Sequence, residues 1–133
     1  MVATFTQNLK RRYKNLTFKT GPRFSFRPPK TIILGPEDTP NFELLSLHEL
    51  GHALSNKYDY QTDIERLKIE RLAWENAKNL CSEFGVSYDE EFVETELDSY
   101  RDWLHTKSKC PKCHLTRYQT PDGHYHCPHC DDL

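Results

Sequence analysis

An α+β fold is what the sequence predicts, and three observations lead there. Segments with helical apolar spacing and capping signals fill most of residues 39–106. Short β-leaning runs broken by Gly-Pro and Pro-Pro precede them, and two Cys-x-x-Cys pairs close the chain around a hairpin signal. At 133 residues the chain suits one compact domain with a small appendage.

The elements follow in order. A first helix is expected over roughly Thr4 to Leu16, with Phe5, Leu9 and Tyr13 four apart. "TFKTGPRFSFRPP" and "KTIILGP" then read as strands punctuated by Gly21-Pro22, Pro28-Pro29 and Gly35-Pro36. Thr39-Pro40 signals a helix start, with Thr39 as N-cap and Pro40 at the first helical position, running to about Asn56. Thr62-Asp63-Ile64-Glu65 is a capping box for a second long helix that stops at Gly85. Ser87-Tyr88-Asp89-Glu90 opens a third, continuing to about Thr106 with an apolar stripe of Val93, Leu97, Tyr100 and Leu104.

Charge is unevenly spread. The net charge is −2, from 18 basic and 20 acidic residues. Residues 1–30 nevertheless hold eight cations and no acid, leaving a net of −10 from Thr31 onward. The eight are Lys10, Arg11, Arg12, Lys14, Lys19, Arg23, Arg27 and Lys30, interleaved with Tyr13, Phe18, Phe24 and Phe26. Such a mixture can bind single-stranded nucleic acid through phosphate contacts and stacking. The plainer expectation is that the aromatics belong to the core and the cations dock on the acidic remainder of the chain. No apolar run approaches the ~20 residues of a membrane span. The first residues lack the apolar stretch of a signal peptide, so a cytoplasmic protein without membrane partners is expected.

Four of the five cysteines stand as Cys110-x-x-Cys113 and Cys127-x-x-Cys130, 13 residues apart. Without a secretory signal this arrangement reads as metal binding rather than as disulfides. Four thiolates suit a closed, structural zinc site. Pro121-Asp122-Gly123 between the pairs marks the turn of a β-hairpin. His114, His124, His126 and His129 are expected on the hairpin surface, and Lys109, Lys112 and Arg117 form a weak basic patch there. Cys81 is expected to be a small core residue.

The segment "LSLHELGHALSN" places His48 and His52 four apart, with Glu49 between them. On a helix the two imidazoles share one face, one turn apart, and can meet one zinc. Glu49 is then placed to take a proton from water, the arrangement of His-Glu-x-x-His peptidases. Gly51 leaves space beside the site. A catalytic zinc needs a third protein ligand. No histidine occurs between His52 and His105, so the second helix supplies the candidates Asp63, Glu65, Glu70 and Glu75. Glu70 shares its face with Leu67, Ala73, Trp74, Ala77 and Cys81, whereas Glu75 lies roughly 140° away among Lys68, Arg71 and Lys78. A carboxylate facing a core is costly unless paired or metal-bound, which favours Glu70 as ligand over a glutamate paired with Arg66 or Arg101. Ala73 and Ala77 would let the two helices approach closely.

With His48–His52 followed by Glu70-x-x-Ala73 and Ala77, residues 31–84 resemble the ImmA/IrrE-type zinc metallopeptidases of bacteria, phages and mobile elements. The resemblance implies a gluzincin-like, zincin-like domain, with His48, His52 and Glu70 as ligands and Glu49 as base. No helix-turn-helix is recognisable. SprT-like proteases, which act on DNA-associated proteins, are the second resemblance. They too join such a helix to a C-terminal zinc ribbon, but their third ligand is a histidine on a following segment, which this chain lacks at the expected place.

The expected organisation is a metallopeptidase domain over residues 1–107 and a separate zinc ribbon over 108–133. Two zinc ions are expected, one catalytic and one structural. The substrate would be a protein or peptide, and nucleic acid could meet the basic segment or the ribbon. Tyr58, Tyr60, Tyr100 and His105 are unranked candidates for stabilising an oxyanion. The alternative is a non-enzymatic adaptor that binds nucleic acid or a protein partner.

Overall fold

The computed structural model describes residues 4–131, so the outermost ends of the two expected domains lie outside it. Four helices and two small sheets follow the order α1 (Phe5–Arg12), β1 (Thr17–Thr20), β2 (Ser25–Arg27), β3 (Thr31–Leu34), α2 (Phe42–Leu54), α3 (Asp63–Phe84), α4 (Glu90–Ser108), β4 (Tyr118–Gln119) and β5 (Tyr125–His126). The predicted α+β class is observed. Two compact units divide the chain: Met1–Tyr58 with Leu72–Asp89, and Asp59–Arg71 with Glu90–Leu133.

In the first unit the sheet order is β1-β3-β2, with β3 parallel to β1 and antiparallel to β2. Ile32, Ile33 and Leu34 are all buried, which suits β3 to the centre, while the more exposed β1 and β2 form the edges. Phe18, Ile32 and Phe26 stand in register across the three strands and therefore share one face. α1 is shorter than expected, ending at Arg12. Its start is set by a capping box in which Thr4 and Gln7 exchange side-chain and backbone hydrogen bonds.

The aromatics of the basic segment pack inward. The Phe24 ring lies 5.7 Å from Phe42, Phe26 lies 5.3 Å from Tyr58, and Tyr13 lies 6.4 Å from Phe84. All eight cations of that segment are exposed. The aromatics thus follow the plainer expectation, whereas the cations stay at the surface, where Arg12 lies 3.6 Å from Glu83.

α2 begins later than Thr39-Pro40 suggests. The carbonyl of Thr39 accepts from Phe42 N at 3.0 Å, closing a turn, and Asn41 takes the cap position in the left-handed region at φ 62°. Asparagine is among the side-chain-bearing residues that enter this region most readily. α3 keeps its predicted bounds. Thr62 Oγ1 accepts from Glu65 N at one end; at the other, Gly85 turns left-handed and Val86 N donates to Cys81 O.

α4 starts at Glu90 rather than directly after Ser87. Tyr88 stays outside the helix, and the Lys78 ammonium lies 5.5 Å from its ring centre. Of the predicted stripe, Val93 and Leu97 are buried, and Tyr100 and Leu104 are half-buried.

The second unit joins the first turns of α3, α4 and the ribbon, so the ribbon does not form a unit from residue 108 by itself. β4 and β5 pair antiparallel through the turn at Pro121–Gly123, as the sequence predicts. Arg117 fastens the hairpin to the end of α4, its guanidinium donating to Lys107 O at 2.8 Å. Among the described residues, no helix is long and apolar enough to cross a membrane.

Candidate metal centres

The four ribbon cysteines converge. Cys110 and Cys130 Sγ are 3.9 Å apart, Cys113 and Cys127 Sγ are 3.6 Å apart, and all four sulfurs lie within 4.8 Å of one another. A tetrahedral zinc with Zn–S bonds of ~2.3 Å has an S···S edge of about 3.8 Å. The cluster therefore matches the size of a four-thiolate zinc cage and can hold a metal ion.

Local backbone geometry explains the convergence. In the first knuckle the N–H groups of Cys113 and Lys112 point at the Cys110 sulfur, lowering its pKa to about 6. His114 turns left-handed at φ 66° and donates its N–H to Cys110 O at 2.9 Å. In the second knuckle Cys130 N donates to Cys127 Sγ at 3.3 Å, and Cys127 N donates to Asp131 Oδ2 at 3.1 Å. The neighbouring Cys113 thiol and burial push Cys130 up to about 12. A divalent cation bound here would stabilise the thiolate form of the cysteines that hold it.

Of the surrounding histidines, His126 Nδ1 lies 3.3 Å from Asp131 and His124 Nδ1 lies 3.0 Å from Asp122. Among the described residues, the cluster of potential ligands here consists of the cysteines alone.

The second centre is built on α2. His48 and His52 lie on one helical face with ring centres 4.7 Å apart. One ligand atom from each, with one from Glu49, falls within a span of 4.8 Å. Glu49 is only 8% exposed, and its Oε1 lies 3.6 Å from His48 Nδ1. These three residues form a group that could hold a metal ion.

Gly51 serves a purpose other than leaving space beside a metal. A Cβ there would sit 2.2 Å from the carbonyl oxygen of Ala73, so α2 and α3 touch backbone to backbone at this point. Asn76 Nδ2 donates to Gly51 O at 3.0 Å and fastens the crossing. Ala73 and Ala77 are fully buried, in keeping with the close approach that the sequence suggests.

Among the third-ligand candidates, Glu70 is buried at 9% exposure and Glu75 is exposed, as their helical faces predict. Glu70 is not part of the close His48–Glu49–His52 group. Glu65 is used in capping. Asp63 is buried, accepts from the Tyr125 hydroxyl at 2.5 Å, and pairs with Lys107 at 3.0 Å.

The oxyanion candidates divide between the units. The Tyr58 hydroxyl donates to Ala53 O at 3.2 Å. Arg66 lies over the rings of Tyr60 and Tyr100, and His105 is exposed on the last turns of α4. Cys81 is buried, and burial raises its pKa, as fits a packed thiol.

One contact at this centre was not anticipated from the sequence. The indole of Trp74 stacks on the His48 imidazole with centroids 4.0 Å apart and planes 5° from parallel. Its only sequence signal is a tryptophan next to Ala73, on the face shared with Glu70.

Comparison with family models, with curated proteins and with solved structures found no match to this chain.

Proposed function

We propose that the protein is a zinc-dependent peptidase of zincin-like fold with a zinc-stabilised ribbon. The observation that carries this reading is the His48–Glu49–His52 group, two imidazoles and a buried carboxylate on one helix. His48 and His52 hold the zinc with Glu70 as third ligand. Support for Glu70 comes from its burial, which is costly for a carboxylate that is neither paired nor metal-bound. Zinc bound there supplies Lewis acidity, polarising a carbonyl and acidifying water. Glu49 accepts a proton from the attacking water as its oxygen bonds to the scissile carbon. The same carboxylic acid then gives that proton to the departing amine as the C–N bond breaks. Cys110, Cys113, Cys127 and Cys130 hold a second, structural zinc whose binding supplies folding free energy to the ribbon.

The test compares wild type with Glu49→Gln in a cell lysate, reading new protein termini. Glu49→Gln should keep its metal and lose hydrolysis by ~10²–10⁴-fold. Equal termini from both proteins would overturn the reading.

A second reading, nucleic-acid binding by the basic segment, is favoured by the exposure of all eight of its cations. With its aromatics packed inward, contact would be to phosphates, so affinity should fall steeply with salt. Binding insensitive to replacing Lys10, Arg11 and Arg12 together would exclude that surface.

A further inference from the structure

The stack between Trp74 and His48 carries an inference about how the α2 centre is ordered. Trp74 is 2% exposed, and its position is fixed by the crossing of α3 over α2. Ala73 abuts Gly51 through its backbone, and Asn76 bonds the Gly51 carbonyl, so the residues on both sides of Trp74 are anchored to α2. Gly51 is three residues beyond His48, nearly one turn along the same helix. The backbone contact thus sets the rotation of α3 that lays the indole flat on the imidazole.

We propose that Trp74 is a positioning residue for His48, holding its ring in the plane from which it binds a metal. The inference rests on reading His48 as a ligand. An imidazole has two soft torsions, and a neighbour parallel to its plane removes freedom about the outer one. Coordination of a cation draws electron density from the imidazole, and an electron-poor ring stacks more favourably on the electron-rich indole face. Ordering by Trp74 therefore acts before the metal arrives and strengthens once it is bound. Groups that orient metal-binding histidines usually do so by hydrogen bonds, and their loss costs ~10–100-fold in metal affinity. A parallel aromatic face restricts the same motion, and a loss of about 10-fold is expected here.

The experiment titrates full-length protein with Co2+ against a competing chelator, for wild type, Trp74→Phe and Trp74→Leu. Cobalt at the four cysteines gives an intense thiolate charge-transfer band, whereas cobalt at His48 and His52 gives weaker visible bands, so the two sites are read separately. Trp74→Leu should lower the Co2+ affinity read from the second set of bands about 10-fold and leave the affinity read from the thiolate band unchanged. Trp74→Phe, which keeps an aromatic face, should recover most of the affinity. Thermal unfolding is measured alongside. A Trp74→Leu protein that is less stable but binds cobalt at His48 and His52 as tightly as wild type would show Trp74 to be packing only, overturning the inference while leaving the peptidase reading intact. Wild type that shows only the thiolate band would remove both.

Discussion

The hydroxyl of Tyr125, on β5, donates to Asp63 Oδ2 at the first residue of α3 across 2.5 Å. Lys107 on α4 pairs with the same carboxylate at 3.0 Å, and Gln119 on β4 accepts from the Asp63 backbone N–H at 2.7 Å. The ribbon is thereby bonded into the start of a helix 56–62 positions earlier in the chain. Burial alone would raise the pKa of Asp63, but the hydrogen bonds from Tyr125 and Lys107 outweigh it and hold the group below its ordinary value. Burial and the Asp63 carboxylate push Tyr125 up to about 12.

The linkage gives a pH window. Asp63 has a depressed pKa, so its contribution is complete above about pH 4 and is lost as pH falls through that depressed pKa. Tyr125 has a raised pKa, so its contribution is complete below about pH 10 and is lost as pH rises through about 12. Tyr125→Phe should cost about 1.5–3 kcal/mol at pH 7, the range for a hydrogen bond to a charged group. Its difference from wild type should shrink below pH 4. Urea unfolding at both pH values measures this, and equal stability at pH 7 would show the bond to be of no consequence.

The same contacts change what loss of the ribbon metal should do. From sequence the ribbon is a separate tail, and Cys113→Ser should unfold only residues beyond about Ser108. With Tyr125 and Gln119 holding Asp63, the first turn of α3 should loosen as well. Hydrogen exchange at the amides of Asp63 to Arg66 should speed up in Cys113→Ser. Unchanged protection there would return the ribbon to the status of an appendage.

Gly51→Ala tests the helix crossing. In an exposed helix this change gains about 1 kcal/mol from propensity. Here the added Cβ would meet the Ala73 carbonyl oxygen at 2.2 Å, and a backbone atom cannot rotate away. Overpacking of this kind costs ~1–3 kcal/mol, so a net loss of stability is expected in urea unfolding. A stabilised variant would contradict the close approach.

Glu70→Gln and Glu75→Gln separate the ligand candidates. The buried Glu70 should be needed for metal at His48 and His52, and the exposed Glu75 should not. Chelator competition reads both, and the reverse pattern would contradict the assignment.

What is legible in the sequence is local. Thr62-x-x-Glu65 and Gly85 bound α3 because caps are made by residues within a turn of the helix end. The four-residue spacing of His48 and His52 and the two cysteine knuckles similarly encode their own geometry. What depends on distant partners is not legible. The parallel pairing of β1 with β3, the stack of Trp74 on His48, and the burial of Asp63 beneath Tyr125 all join residues far apart in the chain. Thr39-Pro40 misplaces the start of α2 because it fits a turn as well as it fits a cap. Gly51 does mark a close approach, but the atom it makes room for belongs to Ala73.

Zinc stoichiometry tests the central claim most directly, because it requires no knowledge of the substrate. Full-length protein, purified without chelator and separated from free metal by gel filtration, should carry two zinc ions per chain. His48→Ala should carry one, with its ribbon cysteines still protected from thiol reagents. One zinc per chain in both proteins would contradict the account, since the α2 centre would then hold no metal.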